Sequence, residues 1–310
     1  MLKKIVESIR NYEGLRRKKY AGVFGKKIGV EIGEDAAVID VGTEDLLLFT
    51  ADGIWDVVLQ KDLQWGGFVS ILVNIHDIAA MGGIAISAVN IVSVVDDKAL
   101  DEISMGMRRA CDLYGVGVVN GHIHPNANTN SIDVAMIGKV KRNSVVYSNT
   151  AKAEDYLVYA VDLDGNIHPK LKYNFDSTKK DARILRMQME AMQKIGEEKI
   201  ASAGKDVSNA GLVGTIGMMM EVSRKGCTID LNSVPKPDGI EMGHWLKVYP
   251  AAGFVITTPT PEKAIKIFEK HFLTASIIGR VNNSLKVELC LNGERKTVFD
   301  FDGESILGLF

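Results

Sequence analysis

The chain has 310 residues, 46% hydrophobic and 25% charged, with a formal net charge of -2. That length exceeds one ordinary core and fits two domains of about 100–200 residues each, in a composition typical of globular proteins in water. The charge balance offers no basic field to nucleic acid or an anionic membrane surface, and no apolar run reaches the roughly 18 residues needed to span a bilayer.

The amino terminus, MLKKIVESIRNYEGLRRKK, reads as a basic amphipathic helix without the apolar centre of a signal peptide, so the expected location is cytoplasmic. Next comes AGVFGKKIGVEIGEDAAVIDVG, in which Gly22, Gly25, Gly29 and Gly33 are interleaved with Lys26 and Lys27. Glycines let a backbone approach a ligand and two lysines add positive charge, so a phosphate-cradling loop holding Lys26 and Lys27 is one reading. The spacing is not that of a P-loop, and a Gly-rich hairpin is the other reading. Glu34 and Asp35 precede a short apolar strand, where an acid commonly caps a turn.

EDLLLFTADGIWD places a buried strand over Leu46 to Phe49, with Thr50, Asp52 and Asp56 at its carboxyl end, where rigid sheets tend to carry ligand sites. Phe68, Ile71, Leu72, Ile75, Ile78 and Ala79 then recur at the spacing of one buried helical stripe, closed by Gly82-Gly83. Asp77 lies off that stripe. A solvated acid, an ion pair and a metal ligand all suit it, but an unpaired buried charge does not. A long strand, AISAVNIVSVV, leads into a helix that opens on acids and ends at Gly115, with Leu100, Ile103, Met107 and Leu113 as its core stripe.

VGVVNGHIHPNANTNS runs from strand into loop, and its His122 and His124 share a face if extended. Solvated loop histidines and a metal pair both fit that pattern. After the alternating strand SIDVAMIGKV, the polar stretch KRNSVVYSNTAKAED is the best place for a domain boundary. The second half reads as strand YLVYAVDL, a helix over Asp181 to Ile200, and KDVSNAGLVGTIGMMMEVSRKG, where Asp206 and Ser208 precede a helix expected near Asn209. They suit helix caps or an anion site. CTIDL, a helix over Gly239 to Tyr249, GFVITT, a helix opened by Thr260-Pro261, and strands SIIGRV, LKVEL and KTVFDF complete the chain. Cys111, Cys227 and Cys290 are far apart and form no CxxC pair, which argues against disulfides and a thiolate zinc site; inert thiols are expected, with a lone nucleophile as the alternative.

The ordered set GEDAAV, Thr50-x-Asp52, NIHDIAAMGG, NGH before a Pro-containing loop, DVSNAGL, GFVITTP and IIGRV resembles the AIR synthase-related (PurM-like) superfamily over nearly the whole chain. That group includes aminoimidazole ribonucleotide synthetase, thiamine-monophosphate kinase, selenophosphate synthetase and the hydrogenase maturation protein that makes a thiocyanate group. Within it, the chain is most similar to the methanogenesis marker protein 2 group of methanogenic archaea. The resemblance implies an α+β, two-domain fold. Residues 1–146 would form a mixed-sheet domain that binds ATP and dimerises, and residues 147–310 an α/β domain.

The resemblance further implies metal-binding acids at Asp35, Asp52, Asp77 and Asp206, with Asp77 and Asp206 in catalysis and ATP contacts at Gly121, His122 and Ser208. The implied cofactors are Mg2+ and ATP, the implied partners a small-molecule substrate and a second copy of the chain, and the implied activity phosphorylates or activates that substrate. Departures stand beside these matches. His122 and Asn209 fall where the kinase has acids, Ala51 replaces a hydroxyl residue, and Ser148 replaces an ATP-contacting arginine. No Cys lies in the Gly-rich amino-terminal stretch or in SILGLF, which disfavours selenophosphate and thiocyanate chemistry. A nucleotide-binding regulatory or assembly protein without turnover is the second reading.

Overall fold

A computed structural model describes every residue except Glu31, Ala251 and Phe310. The first sheet has five strands in the order β1 (Ala37–Ile39), β2 (Asp45–Gly53), β5 (Ser131–Lys141), β3 (Ile84–Ser93) and β4 (Gly117–His124). Only β3 and β4 pair in parallel, and the crossover between them is α6 (Asp97–Tyr114). Alternation sets the faces: Leu46, Leu48 and Thr50 of β2 point inward, while Phe49 and Ala51 point out.

After the one-and-a-half turns of α4 (Asp56–Lys61), α5 (Leu63–Ala80) packs on the inner face of this sheet. Asp62 caps it by accepting from the Trp65 amide at 3.0 Å, and Gly82 takes the left-handed φ of 77° just beyond its end. The expected single stripe is corrected here. Asn74 and His76 are buried along with Phe68, Ile71, Leu72, Ile75 and Ile78, because α5 is clasped between the first sheet, α6 and the second sheet. A helix covered on all sides needs no polar face. Each of those large apolar side chains contributes roughly 1.5–3 kcal/mol by leaving water.

The second sheet has seven strands in the order β14 (Glu294–Asp300), β13 (Lys286–Leu291), β10 (Gly226–Asp230), β12 (Thr274–Asn282), β6 (Tyr156–Val161), β11 (Gly253–Thr258) and β9 (Ala203–Asp206). Central β6 is apolar on both faces. Val158 and Ala160 join the core of α5, α7 (Ala182–Glu197) and α10 (Pro261–Lys270), whereas Leu157, Tyr159 and Val161 join the core under α1 (Leu2–Arg10) and α8 (Gly211–Ser223). A small hairpin of β7 (Asn166–His168) and β8 (Leu171–Asp176) fills the segment between β6 and α7. Mixed sheets and helices make this the α+β class that the sequence indicates. No helix among the described residues is long and apolar enough to cross a membrane.

Several local expectations change. The amino-terminal helix breaks into α1, α2 (Glu13–Arg16) and α3 (Lys19–Ile28), and α3 occupies the Gly-rich stretch read as a loop or hairpin. The glycines serve close packing there: the Gly22 amide donates to the Leu307 carbonyl at 2.8 Å, and a Cβ on Gly22 would stand 2.3 Å from that oxygen. First in sequence, α1 nonetheless packs on β13 and β14 of the second sheet. The helix expected over Gly239 to Tyr249 shrinks to the single turn α9 (Met242–Trp245).

Candidate functional site

Four elements deliver carboxylates to one cleft between the sheets. Asp77 lies in the last turn of α5, Asp206 ends the edge strand β9, Asp35 stands in the segment before β1, and Asp52 is near the end of β2. One carboxylate oxygen from each of Asp35, Asp77 and Asp206 lies within 4.8 Å of the others. Asp52 stands outside that trio but lines the same cleft of about 120 Å3 with Asp77, Asp206, Ser208 and Asn209. On the other side of the acids a shallower depression of about 840 Å3 is lined by Lys26, Asp35 and Thr50.

Arg17 and Lys18 line the cleft with the acids, but few groups contact the carboxylates directly. The Thr50 hydroxyl donates to Asp77 Oδ2 at 2.7 Å, and buried Lys205 Nζ donates to Asp35 Oδ1, leaving Asp35 Oδ2 with no partner among the described residues. The Ser208 hydroxyl and Asn209 Oδ1 are also buried without partners among the described residues. Helix α8 begins at Gly211 rather than Asn209 and has no side-chain cap, so of the two readings of Ser208 the helix cap does not apply; Ser208 lines the cleft.

The electrostatics follow from burial and like charge. Burial, then Asp52, Asp206 and Asp35, hold the Asp77 carboxyl well above the ordinary carboxylate range, opposed by Thr50. Asp206 is pushed up to about 7 by burial and by Asp35, against Lys205 and Lys18. Burial also raises Asp52, with Lys18 opposing. Against the downward pull of burial, Asp35, Asp206 and Asp77 raise the Lys205 amine, so it stays charged. Hard carboxylate oxygens with vacant lone pairs at this spacing suit Mg2+, which takes oxygen ligands and keeps several waters.

This arrangement predicts an unusual pH profile. An acid whose folded pKa is raised is protonated more readily in the fold, so its contribution is full below about pH 4 and is lost as pH rises towards the folded value. Metal-free protein is therefore expected to lose a few °C of Tm between about pH 5 and about pH 8, and millimolar Mg2+ to restore most of it at the upper end. Thermal scans with EDTA and with Mg2+ check this. A metal-free Tm that climbs across that window would contradict the site.

The other candidate residues do not converge on the acids within this chain. Gly121 and His122 sit on the exposed edge strand β4, paired with Asn90 and Ile91 of β3. The rings of His122 and His124 do share a face, with centroids 4.5 Å apart. Lys26 and Lys27 are exposed near the end of α3; Lys26 borders the depression beside Asp35, and Lys27 borders neither hollow. Sequence reasoning does not single out Lys205, whose one signal is its place beside Asp206 in GKDVSN. Ser148, 1% exposed, is tied into the fold, with its hydroxyl donating to the Gly33 carbonyl and its amide to Glu34.

A two-domain α+β chain whose sheets present acids to a shared cleft is the class that fold and site define. Within it, the chain belongs to the AIR synthase related family. The N-terminal domain of that family matches residues 33–140 and the C-terminal domain residues 154–291. An uncharacterized protein of Methanocaldococcus jannaschii is 40% identical over 99% of both chains. A thiamine-monophosphate kinase of Buchnera aphidicola is 22% identical over 88% of this chain and 90% of its own, and a selenide, water dikinase of Colwellia psychrerythraea is 26% identical over 68% and 63%. Among solved structures, AaThiL complexed with AMPPCP and TMP superposes with a TM-score of 0.69 at 21% identity, covering 88% of this chain and 92% of that one. T. maritima PurL complexed with ATP gives 0.72 at 17%, covering 85% of this chain; this chain spans 45% of PurL's length.

Proposed function

We propose that this chain is an ATP- and Mg2+-dependent enzyme that phosphorylates or otherwise activates a small molecule. The observation that carries this reading is the meeting of Asp35, Asp77 and Asp206 within 4.8 Å, where only Lys205 pairs directly with one of the three among the described residues. Asp35, Asp77 and Asp206 would hold Mg2+, with Asp52 at the rim, and bound metal would neutralise charge on the transferring phosphoryl group. Ser208 and Asn209, each with an unpartnered buried oxygen, bind and orient at the cleft wall. Lys205 holds Asp35 in place. The kinase-like relatives and the fold shared with ATP-bound proteins support the same reading. Calorimetry with ATP and Mg2+ tests it, and no heat of binding would sink it.

The reading includes the division into domains 1–146 and 147–310, a cytoplasmic location and a homodimer. The outward face of the first sheet exposes Phe49, Val89, Ile91 and Ile137, with Ile91 51% exposed. A contiguous apolar sheet face of this kind is rarely left in water, and a two-fold mate covers it most simply. The dimer would also give Gly121 and His122, on the edge of that sheet, a way to reach a nucleotide site they do not reach in one chain. Light scattering at micromolar concentration is expected to give twice the chain mass, and Ile91→Asp to give the single mass. A wild-type monomer that still binds ATP would refute this part.

A specific observation favours a second reading, a nucleotide-binding regulatory or assembly protein. Ser148 is committed to the fold, and Asn209 supplies no carboxylate. Binding of ATP without ADP release in the presence of a broad metabolite pool would select it.

A further inference from the structure

Beside the acid cleft lies a second hollow that the acids do not explain. Its volume is about 670 Å3, within the ordinary range for a small-molecule site. It shares Trp55, Val58, Asn174 and Tyr249 with the acid cleft, so the two hollows adjoin along a common wall. Three tyrosines and a tryptophan line it: Tyr12, from the link between α1 and α2, Trp55 before α4, Tyr173 on β8, and Tyr249. The rings of Tyr12 and Tyr173 meet edge to face at 4.9 Å, and the Tyr249 amide donates to the Tyr173 carbonyl at 2.8 Å. The aromatic wall is therefore fixed by the backbone.

The charge on this wall is opposite to that of the cleft. Lys61, Lys170, Lys172 and Lys247 line the hollow with Glu13 as the one acid. Lys172 and Lys247 both stand over the Tyr173 ring, with their amines 4.7 and 5.2 Å from its centroid. Lys247 is only 8% exposed, and its amine donates to the neutral Ser8 hydroxyl, with no carboxylate paired to it among the described residues. Tyr12 is 7% exposed, and its hydroxyl, buried at the same wall, has no hydrogen-bond partner among the described residues. A buried cation and an orphaned hydroxyl beside these rings are costly arrangements unless a ligand completes them.

We infer that this hollow binds the acceptor substrate, and that the acceptor is a planar aromatic or heteroaromatic molecule bearing an anionic group. The ring packs against the aromatic wall of Tyr249, Trp55 and Tyr173, the anion meets the Lys172 and Lys247 amines that stand over Tyr173, and a polar substituent satisfies Tyr12. A molecule held this way has its free end on the side of the shared wall, towards the acids. Only its role as acceptor rests on the phosphoryl-transfer reading; the binding itself does not.

The probe is 2-naphthoate, with its uncharged alcohol and cyclohexanecarboxylate as controls, titrated by calorimetry into the wild-type chain. The expected result is saturable binding of 2-naphthoate and at least about tenfold weaker binding of either control, as loss of stacking or of a charged contact implies. Tyr173→Leu and the surface substitution Lys172→Gln are each expected to weaken 2-naphthoate about tenfold while leaving Mg2+ and ATP binding unchanged. Asp77→Ala is expected to do the reverse. No binding of 2-naphthoate, equal binding of all three probes, or retention in both variants would overturn the assignment. Displacement of 2-naphthoate by an ATP analogue with Mg2+ would also overturn it, because the hollow would then hold the nucleotide's own base.

Discussion

Asp77→Ala is expected to weaken binding of ATP with Mg2+ at least about a hundredfold, roughly 3 kcal/mol, and to leave metal-free protein as stable as the wild type or more so at about pH 8. The two halves of that result belong together. An acid retained for the fold has partners that its removal would strand, and breaking a buried pair costs roughly 3–5 kcal/mol. Asp77 has one hydrogen bond among the described residues, from Thr50, and faces Asp52, Asp206 and Asp35, all of which repel it. Deleting it relieves repulsion and removes a metal ligand. Asp206→Ala is expected to act in the same direction on binding, with a smaller gain in stability because Lys205 already offsets part of its charge. Calorimetry and thermal scans with EDTA on the two variants decide this. Undiminished ATP binding, or a metal-free Tm several °C below wild type, would assign Asp77 to the scaffold instead.

Much of this arrangement is legible in the sequence because it is written in short periods. The strand over Leu46 to Phe49 is a short apolar run, the helix after it repeats at i, i+3 and i+4, and Gly82 and Gly115 end helices in the left-handed conformation their positions suggest. That Asp77 needs company also follows from one helix. Which acids provide it does not, since Asp35 and Asp206 are 171 residues apart and meet only because β9 is an edge strand beside the segment before β1. The resemblance to a family supplied that convergence where periodicity could not. The Gly-rich stretch misleads for a physical reason. Glycine serves a phosphate loop and a crowded helix face by the same property, the missing Cβ, and only Leu307 at the far end of the chain shows which applies. Lys205 is invisible for a similar reason: a lysine in a short strand reads as solvated until the fold places Asp35 against it.

Gly106→Val is expected to cost roughly 3 kcal/mol or more, enough to lower soluble yield sharply, and to abolish ATP binding in whatever protein folds. Helices α5 and α6 cross at glycines on both sides. A Cβ on Gly106 would lie 1.9 Å from the Gln64 carbonyl oxygen, and one on Gly67 would lie 2.2 Å from the Ile103 carbonyl oxygen. Those obstacles are backbone, so no rotamer change can relieve them, and the helices must part. Parting opens the core around Phe68 and Ile103, each 1% exposed, and forfeits the contact of Arg109 over the Phe68 ring at 4.6 Å. It also shifts the whole of α5 against β2. Asp77 lies ten residues beyond Gly67 on that rigid helix, about 15 Å along its axis, so a displacement at the crossing moves its carboxylate away from Thr50 and out of register with Asp206. Gly117→Ala is the control, since a Cβ there meets nothing within 4 Å, and it is expected to change stability by less than about 0.5 kcal/mol. Thermal unfolding of both variants, with ATP binding measured on the soluble fraction, separates the outcomes. A folded Gly106→Val that binds ATP like the wild type would show that the crossing tolerates a side chain and that the position of Asp77 does not depend on it.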